Sequence, residues 1–119
     1  GIHVCCSCII GHPFDTESTL RQTLDLGLRL QNEYSAQVLF SVCTPYPGTY
    51  LYNHATELGL INLDDNFDNY NFLNPVFDTK FMSRQQIRNH QFEMMKLLLS
   101  QMPKEVQQFY QSQAEAWRL

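Results

Sequence analysis

The segment Thr44-Pro45-Tyr46-Pro47-Gly48-Thr49 constrains this chain most, because two prolines and a glycine within six residues exclude a helix interior or a ladder strand and force a shaped turn. Before it runs an apolar stretch, Ala36 to Val42, in which Val38, Phe40 and Val42 recur with a period of two, the mark of a strand. After it, Thr49 can cap a helix with the face Leu51, Tyr52, Ala55 and Leu58, which Gly59 would stop. The same order occurs upstream. Val4 to Ile10 is apolar, Gly11-His12-Pro13-Phe14 breaks the pattern, Asp15 or Thr16 caps, and a helix follows. Two successive βα units predict an α/β fold with a parallel sheet.

Alternation along the first strand puts Cys6, Cys8 and Ile10 on one face and Cys5, Ser7 and Ile9 on the other. Both faces are small or apolar, as for a strand with helices on one side and an enclosed interior on the other. The first helix is expected from about Thr16 to Asn32, with Leu20, Leu24, Gly27 and Leu28 in one stripe. A mid-helix glycine costs roughly 1 kcal/mol against alanine, which a close approach to the sheet would offset. Residues 62–80 lose both periods and are rich in Asn, Asp and aromatics, reading as an ordered irregular segment pinned by its rings. Ser83-x-x-Gln86 is a capping box opening a long helix with the stripe Ile87, Gln91, Met94, Met95, Leu98 and Met102. Pro103 ends it. A last helix is expected from about Lys104 to Trp117, with Val106, Phe109, Tyr110 and Trp117 on one side.

The net charge of −4 gives no electrostatic reason to expect a nucleic-acid partner, which needs clustered Lys and Arg. No segment has the ~18 uncharged apolar residues of a membrane helix. A length of 119 residues suffices for one core but not for a complete barrel. The chain starts inside a strand without an initiator methionine, which reads as a piece of a longer protein. Cys5, Cys6, Cys8 and Cys43 all sit in or at the end of apolar runs, as buried thiols do in reduced compartments, so a cytoplasmic location is expected.

Candidate chemistry is sparse. Cys5-Cys6-x-Cys8 offers only Cys6 and Cys8 to a shared ion, half of a tetrahedral site, and no metal site is expected. His54 is expected to be solvated, and His90 to shield a helix interface. His12 differs, because it directly follows a strand, where parallel-sheet proteins gather ligand contacts. Asp64, Asp65 and Asp68 form a loop cluster with no assignable acid–base pair, so catalytic residues stay unknown.

The succession Gly11-x-Pro13-x-Asp15-Thr16, Thr44-Pro45-Tyr46-Pro47-Gly48-Thr49-x-Leu51-Tyr52, Gly59-Leu60-Ile61, Asp64-Asp65, Tyr70 and Pro75-Val76 resembles the C-terminal half of radical S-adenosylmethionine enzymes. It is most similar to the cobalamin-binding subgroup typified by the anaerobic magnesium-protoporphyrin IX monomethyl ester oxidative cyclase. The resemblance covers about residues 8–99. It implies a parent whose cofactors are S-adenosylmethionine, a four-iron four-sulfur cluster and, in that subgroup, cobalamin, acting on a small organic substrate by hydrogen abstraction, methylation or oxidative ring closure. The Cys-x-x-x-Cys-x-x-Cys loop that holds the cluster is absent here, so this piece alone is expected to bind no cluster and to be inactive. By position, Ile9 and Gly11 would meet the adenine, with His12, Pro13 and Tyr46 beside the cofactor. Where the family has a second glycine and a glutamate, this chain has Phe14 and Asp15, which requires an altered turn.

The expected fold is therefore a partial (β/α) barrel of two parallel strands, β-α-β-α, followed by a helical C-terminal extension. Residues 1–62 would be the last two βα units, and 63–119 the irregular segment and two helices. The partners are the remainder of the parent barrel and, through strand edges open on both sides, further copies of the piece. The competing reading is a small α/β ligand-binding or scaffold module without a cluster, because fold analogy alone does not assign function.

Overall fold

In the computed structural model, which describes residues 1–116, the alternating stretch Cys5–Ile10 forms strand β1 and Gln37–Val42 forms strand β2. They pair in parallel, Cys5 opposite Gln37 and Ile10 opposite Val42, through helix α1, Glu17–Tyr34. Both strand ends therefore emerge at one edge. Among the described residues the sheet is open and two-stranded, an α/β arrangement that is not a barrel but conflicts with no partial one.

Thr16 caps α1 with a reciprocal box to Thr19, and Ser35, in the left-handed conformation, ends the helix. Alternation decides which sheet face is covered. Ile10, Val38, Phe40 and Val42 are buried against Leu20 of α1 and against Ile87, Met94 and Leu98 of helix α3, Arg84–Ser100. Burying each such side chain stabilises by about 1.5–3 kcal/mol. The opposite face, with Cys5, Ser7 and Ile9, is exposed along β1. Gly27 brings α1 close to the sheet: a Cβ there would stand 2.7 Å from Phe40 Cζ. The glycine is thus explained by packing, as its position in the stripe predicts.

The outer side of β2 departs from expectation. Val42 N–H donates to the Phe72 carbonyl at 2.8 Å, Phe40 N–H to Met95 Sδ at 3.5 Å, and Gln91 Nε2 to the Phe40 carbonyl at 2.8 Å. An edge closed in this way does not template another strand, so the expectation of open edges on both sides is corrected. Neither strand has a further strand on its outer side among the described residues.

The expected helix from Thr49 to Leu58 is also corrected. Helix α2 spans only Tyr50–Asn53. The Tyr50 carbonyl receives the His54 N–H and also lies 3.0 Å from His54 Nδ1, while Ala55 N–H turns back to Tyr52. The chain then continues as turns to Gly59. Residues 60–82 are ordered without a helix longer than the 3-10 turn Phe67–Asn69. Ile61 and Asp78 exchange backbone hydrogen bonds at 2.7 Å and close the segment at its base. Its Leu60, Tyr70, Val76 and Phe77 form a second core with Cys43. Ser83 opens α3 with the expected box to Gln86. After Pro103, helix α4 runs over Lys104–Ala116. Of its expected stripe, Trp117 and the Tyr110 side chain lie outside what is described.

Candidate functional site at the carboxyl edge of the sheet

The first turn at this edge is organised by one carboxylate. Gly11 N–H and His12 N–H donate to Asp15 Oδ2 at 2.9 and 3.0 Å, Thr19 Oγ1 donates to Asp15 Oδ1 at 2.8 Å, and Asp15 N–H returns to the His12 carbonyl at 3.0 Å. Gly11 supplies the positive φ of 79° that the reversal needs, a conformation that costs glycine nothing. Phe14 is not among the positive-φ residues, so a side chain at this position of the turn is unstrained. Gly11 also lies against α3, where a Cβ would meet Ile87 Cγ2 at 2.8 Å.

The five residues singled out from the sequence take different positions at this edge. Ile9 is 52% exposed on the uncovered sheet face, where Ser7 Oγ lies 3.3 Å from the buried Ser41 Oγ. Gly11 and Pro13 are buried and His12 is exposed. Tyr46 belongs to the second turn, which is held by the buried Pro45, by Thr49 Oγ1 donating to the Tyr46 carbonyl at 2.7 Å, and by Gly48 at φ 88°. Its ring leans on Tyr70 at 6.4 Å, and Tyr70 meets Phe67 edge-on at 5.3 Å. Ile9 to Pro13 thus form one unit, and Tyr46 stands at the same edge as part of an aromatic cluster.

Cys43 is the residue sequence reasoning took only for a buried thiol. It follows β2 directly, its N–H donates to the Ile10 carbonyl at 2.7 Å, and it joins the two turns. Burial, then the nearby Asp15 carboxylate, push its thiol up to about 11, so the group is protonated at neutral pH and unreactive. The signal available in the sequence was its position between an apolar strand and Thr44-Pro45. Cys8 is shifted upward as well, by burial and then by Cys6.

Other polar groups prove structural. His54, expected to be solvated, is half-buried and stacked on Tyr50 at 3.9 Å. His90 bridges α3 to α1, with Nε2 3.8 Å from Glu17 Oε1. Asp64 is not simply solvated: the Asn66 N–H and Asn69 Nδ2 donate to it and hold its carboxyl below the usual range, with Arg84 4.0 Å away. Asp78 is held low by the Arg84 N–H at 2.7 Å and by Asn62 Nδ2 at 3.0 Å.

These side chains set limits on what the edge can hold. Among the described residues no three His, Cys, Asp or Glu side chains converge as a metal site, and Cys5 faces away from Cys6 and Cys8. A four-iron cluster therefore does not fit the thiols of this chain. Ile9 offers an exposed apolar side chain close to the glycine turn. The Gly11 and His12 N–H groups are already spent on Asp15.

No family model matches the chain. It is similar to an uncharacterized methyltransferase of Pyrococcus horikoshii, with 33% identity over 87 residues, amounting to 73% of this chain and 18% of that protein. The chain thus spans less than a fifth of the length of the curated relative it matches. What the comparison supports is a likeness to one part of a methyltransferase.

Proposed function

We propose that this chain is the C-terminal part of the catalytic unit of an S-adenosylmethionine-dependent enzyme of the radical, cobalamin-binding type, with methyl transfer to a small organic substrate as its activity. The observation that carries this reading is the parallel βα pair whose first strand leaves Ile9 exposed two residues before the turn at Gly11, taken with the similarity to a methyltransferase. Ile9 packs on the adenine, the exposed His12 stands beside the base, Tyr46 lines the far side, and the buried Gly11 and Pro13 shape the turn between them. Bound S-adenosylmethionine supplies the transferable methyl group or, on reductive cleavage, a carbon radical. The cluster and cobalamin are held by other parts of the parent, whose remaining barrel strands pair with the outer edge of β1. Oxidative ring closure, as in the cyclase, is the finer variant of this reading.

The test is titration of S-adenosylmethionine into the full-length parent carrying Ile9→Glu, with Ile9→Val as control. A charge against the adenine should weaken binding on the order of tenfold or more, as loss of a buried contact does at hot spots, while valine binds nearly as the parent. Equal affinity in all three overturns the assignment. The coding sequence upstream must also contain the three-cysteine loop; a frame without it removes the radical mechanism. One observation favours the second reading, a small ligand-binding or scaffold module without a cluster: Asp15 already occupies the N–H groups of the first turn. That reading requires no response to the cofactor in any variant.

A further inference from the structure

Helices α1 and α3 run in the same direction and are pinned to each other at both ends. At the end nearer the carboxyl edge, His90 Nε2 lies 3.8 Å from Glu17 Oε1. At the far end Gln31 Nε2 donates to the Leu98 carbonyl at 2.9 Å, and Asn32 Nδ2 to Gln101 Oε1 at 2.7 Å. Between these pins the helices stand apart around an open slot of about 400 Å3, a size within the range of small-molecule sites. Its base is apolar, formed by the buried Leu20 and Met94 with Leu24 and Leu97 beside them.

Charge is ordered along the slot. With a helical rise of 1.5 Å per residue, Glu93 lies about 4.5 Å beyond the level of the Glu17–His90 pair, Arg21 about 6 Å and Lys96 about 9 Å. Carboxylates therefore occupy the end near the pair, and cations follow further down. Glu17 is engaged by His90. Arg21, Glu93 and Lys96 also line the slot, and among the described residues none of the three forms an ion pair.

From these observations we infer that the slot binds an apolar α-amino acid as its zwitterion. The ammonium meets Glu93, the carboxylate lies between Arg21 and Lys96, and the hydrocarbon side chain covers the leucines and Met94. Charge complementarity selects this occupant: a plain hydrophobe would leave all three charged groups unused, and a simple anion would meet Glu93. Charge-assisted hydrogen bonds to a guanidinium and a carboxylate are the stronger kind. No residue of the carboxyl-edge turns lines the slot, so the inference stands whether or not that edge binds a cofactor.

Nuclear magnetic resonance titration of the 15N-labelled 119-residue chain with L-leucine tests the inference, with N-acetyl-leucine lacking the ammonium and leucinamide lacking the carboxylate. L-leucine should shift the amides around Arg21 and Glu93 saturably, and each analogue should bind on the order of tenfold more weakly. Arg21→Gln and Glu93→Gln, both at exposed positions, should each weaken leucine by a similar factor while the remaining amides keep their positions. The losses should not add where they report the same contact: Arg21→Gln should leave leucinamide binding unchanged, and Glu93→Gln should leave N-acetyl-leucine binding unchanged. The absence of a saturable shift in the slot overturns the proposal. So does equal affinity for leucine and both analogues, or leucine binding indifferent to both variants.

Discussion

Gln91 Nε2 donates to the Phe40 carbonyl at 2.8 Å and reaches the Phe72 carbonyl at 3.3 Å. A helix side chain thereby does for β2 what a neighbouring strand would do. Replacing it with the apolar Gln91→Met leaves a buried carbonyl unpaired, which costs about 1–3 kcal/mol. Urea denaturation should show that loss, accompanied by concentration-dependent aggregation from the reopened edge. Unchanged stability would mean that the bond contributes nothing to closing the sheet.

Gly27→Ala sets two effects against each other. Alanine gains about 1 kcal/mol of helix propensity, but its Cβ would lie 2.7 Å from the Phe40 ring, and overpacking a buried site costs about 1–3 kcal/mol. The second effect wins because Phe40 is fully buried and has nowhere to move. The substitution should lower the thermal midpoint; a rise would show that the helix shifts at little cost.

Asp15→Ala removes the acceptor for Gly11 N–H, His12 N–H and Thr19 Oγ1 together. Hydrogen bonds to a charged group contribute more than neutral ones, and a loss on the order of 2 kcal/mol is expected. Amide hydrogen exchange should accelerate at Gly11 and His12 ahead of the β2 amides. Unchanged protection at Gly11 and His12 in the variant would refute the carboxylate's role in shaping the turn.

Asp78 has a folded pKa lowered by the Arg84 N–H, then by Asn62. A depressed carboxylate contributes stability that is fully present above its unfolded value of about 3.9 and is lost as the pH falls through the folded value. Asp78→Asn should therefore destabilise the chain at neutral pH and flatten the acid limb of its stability profile below about pH 4. A profile parallel to the wild type, measured by chemical denaturation at stepped pH, would contradict the linkage.

Thiol reactivity should divide by position. Cys43 is buried with its thiol pushed up to about 11, whereas Cys5 is exposed. Iodoacetamide at pH 8 should label Cys5 and leave Cys43 unmodified until the protein is unfolded. Mass spectrometry of the native chain checks this, and early modification of Cys43 would show that the junction of the two turns opens.

What the sequence determined by itself was local. The Thr16 and Ser83 caps, the strand alternation, the helix stripe through Gln91 and the breaking turns at Gly11 and Pro45 depend on residues within a few positions of each other, so their spacing carries the answer. The parallel order followed from the doubled βα unit, and Gly27 announced a close approach without naming Phe40. At the carboxyl edge, the unit Ile9 to Pro13 was legible because a strand end and a glycine turn adjoin in sequence. Only the tertiary structure decided the rest. Gln91 could not be known to close β2, because its partner Phe40 lies 51 positions away. The helix after Thr49 ends at Asn53 and the chain continues in turns to Gly59, an outcome the apolar stripe did not encode. Asp64 became structural through Asn66 and Asn69, Asp78 through the Arg84 N–H and Asn62, and Cys43 became the link between the turns through burial and Asp15. Hydrogen bonds and desolvation between distant residues exist only once the chain has packed, so no local pattern records them.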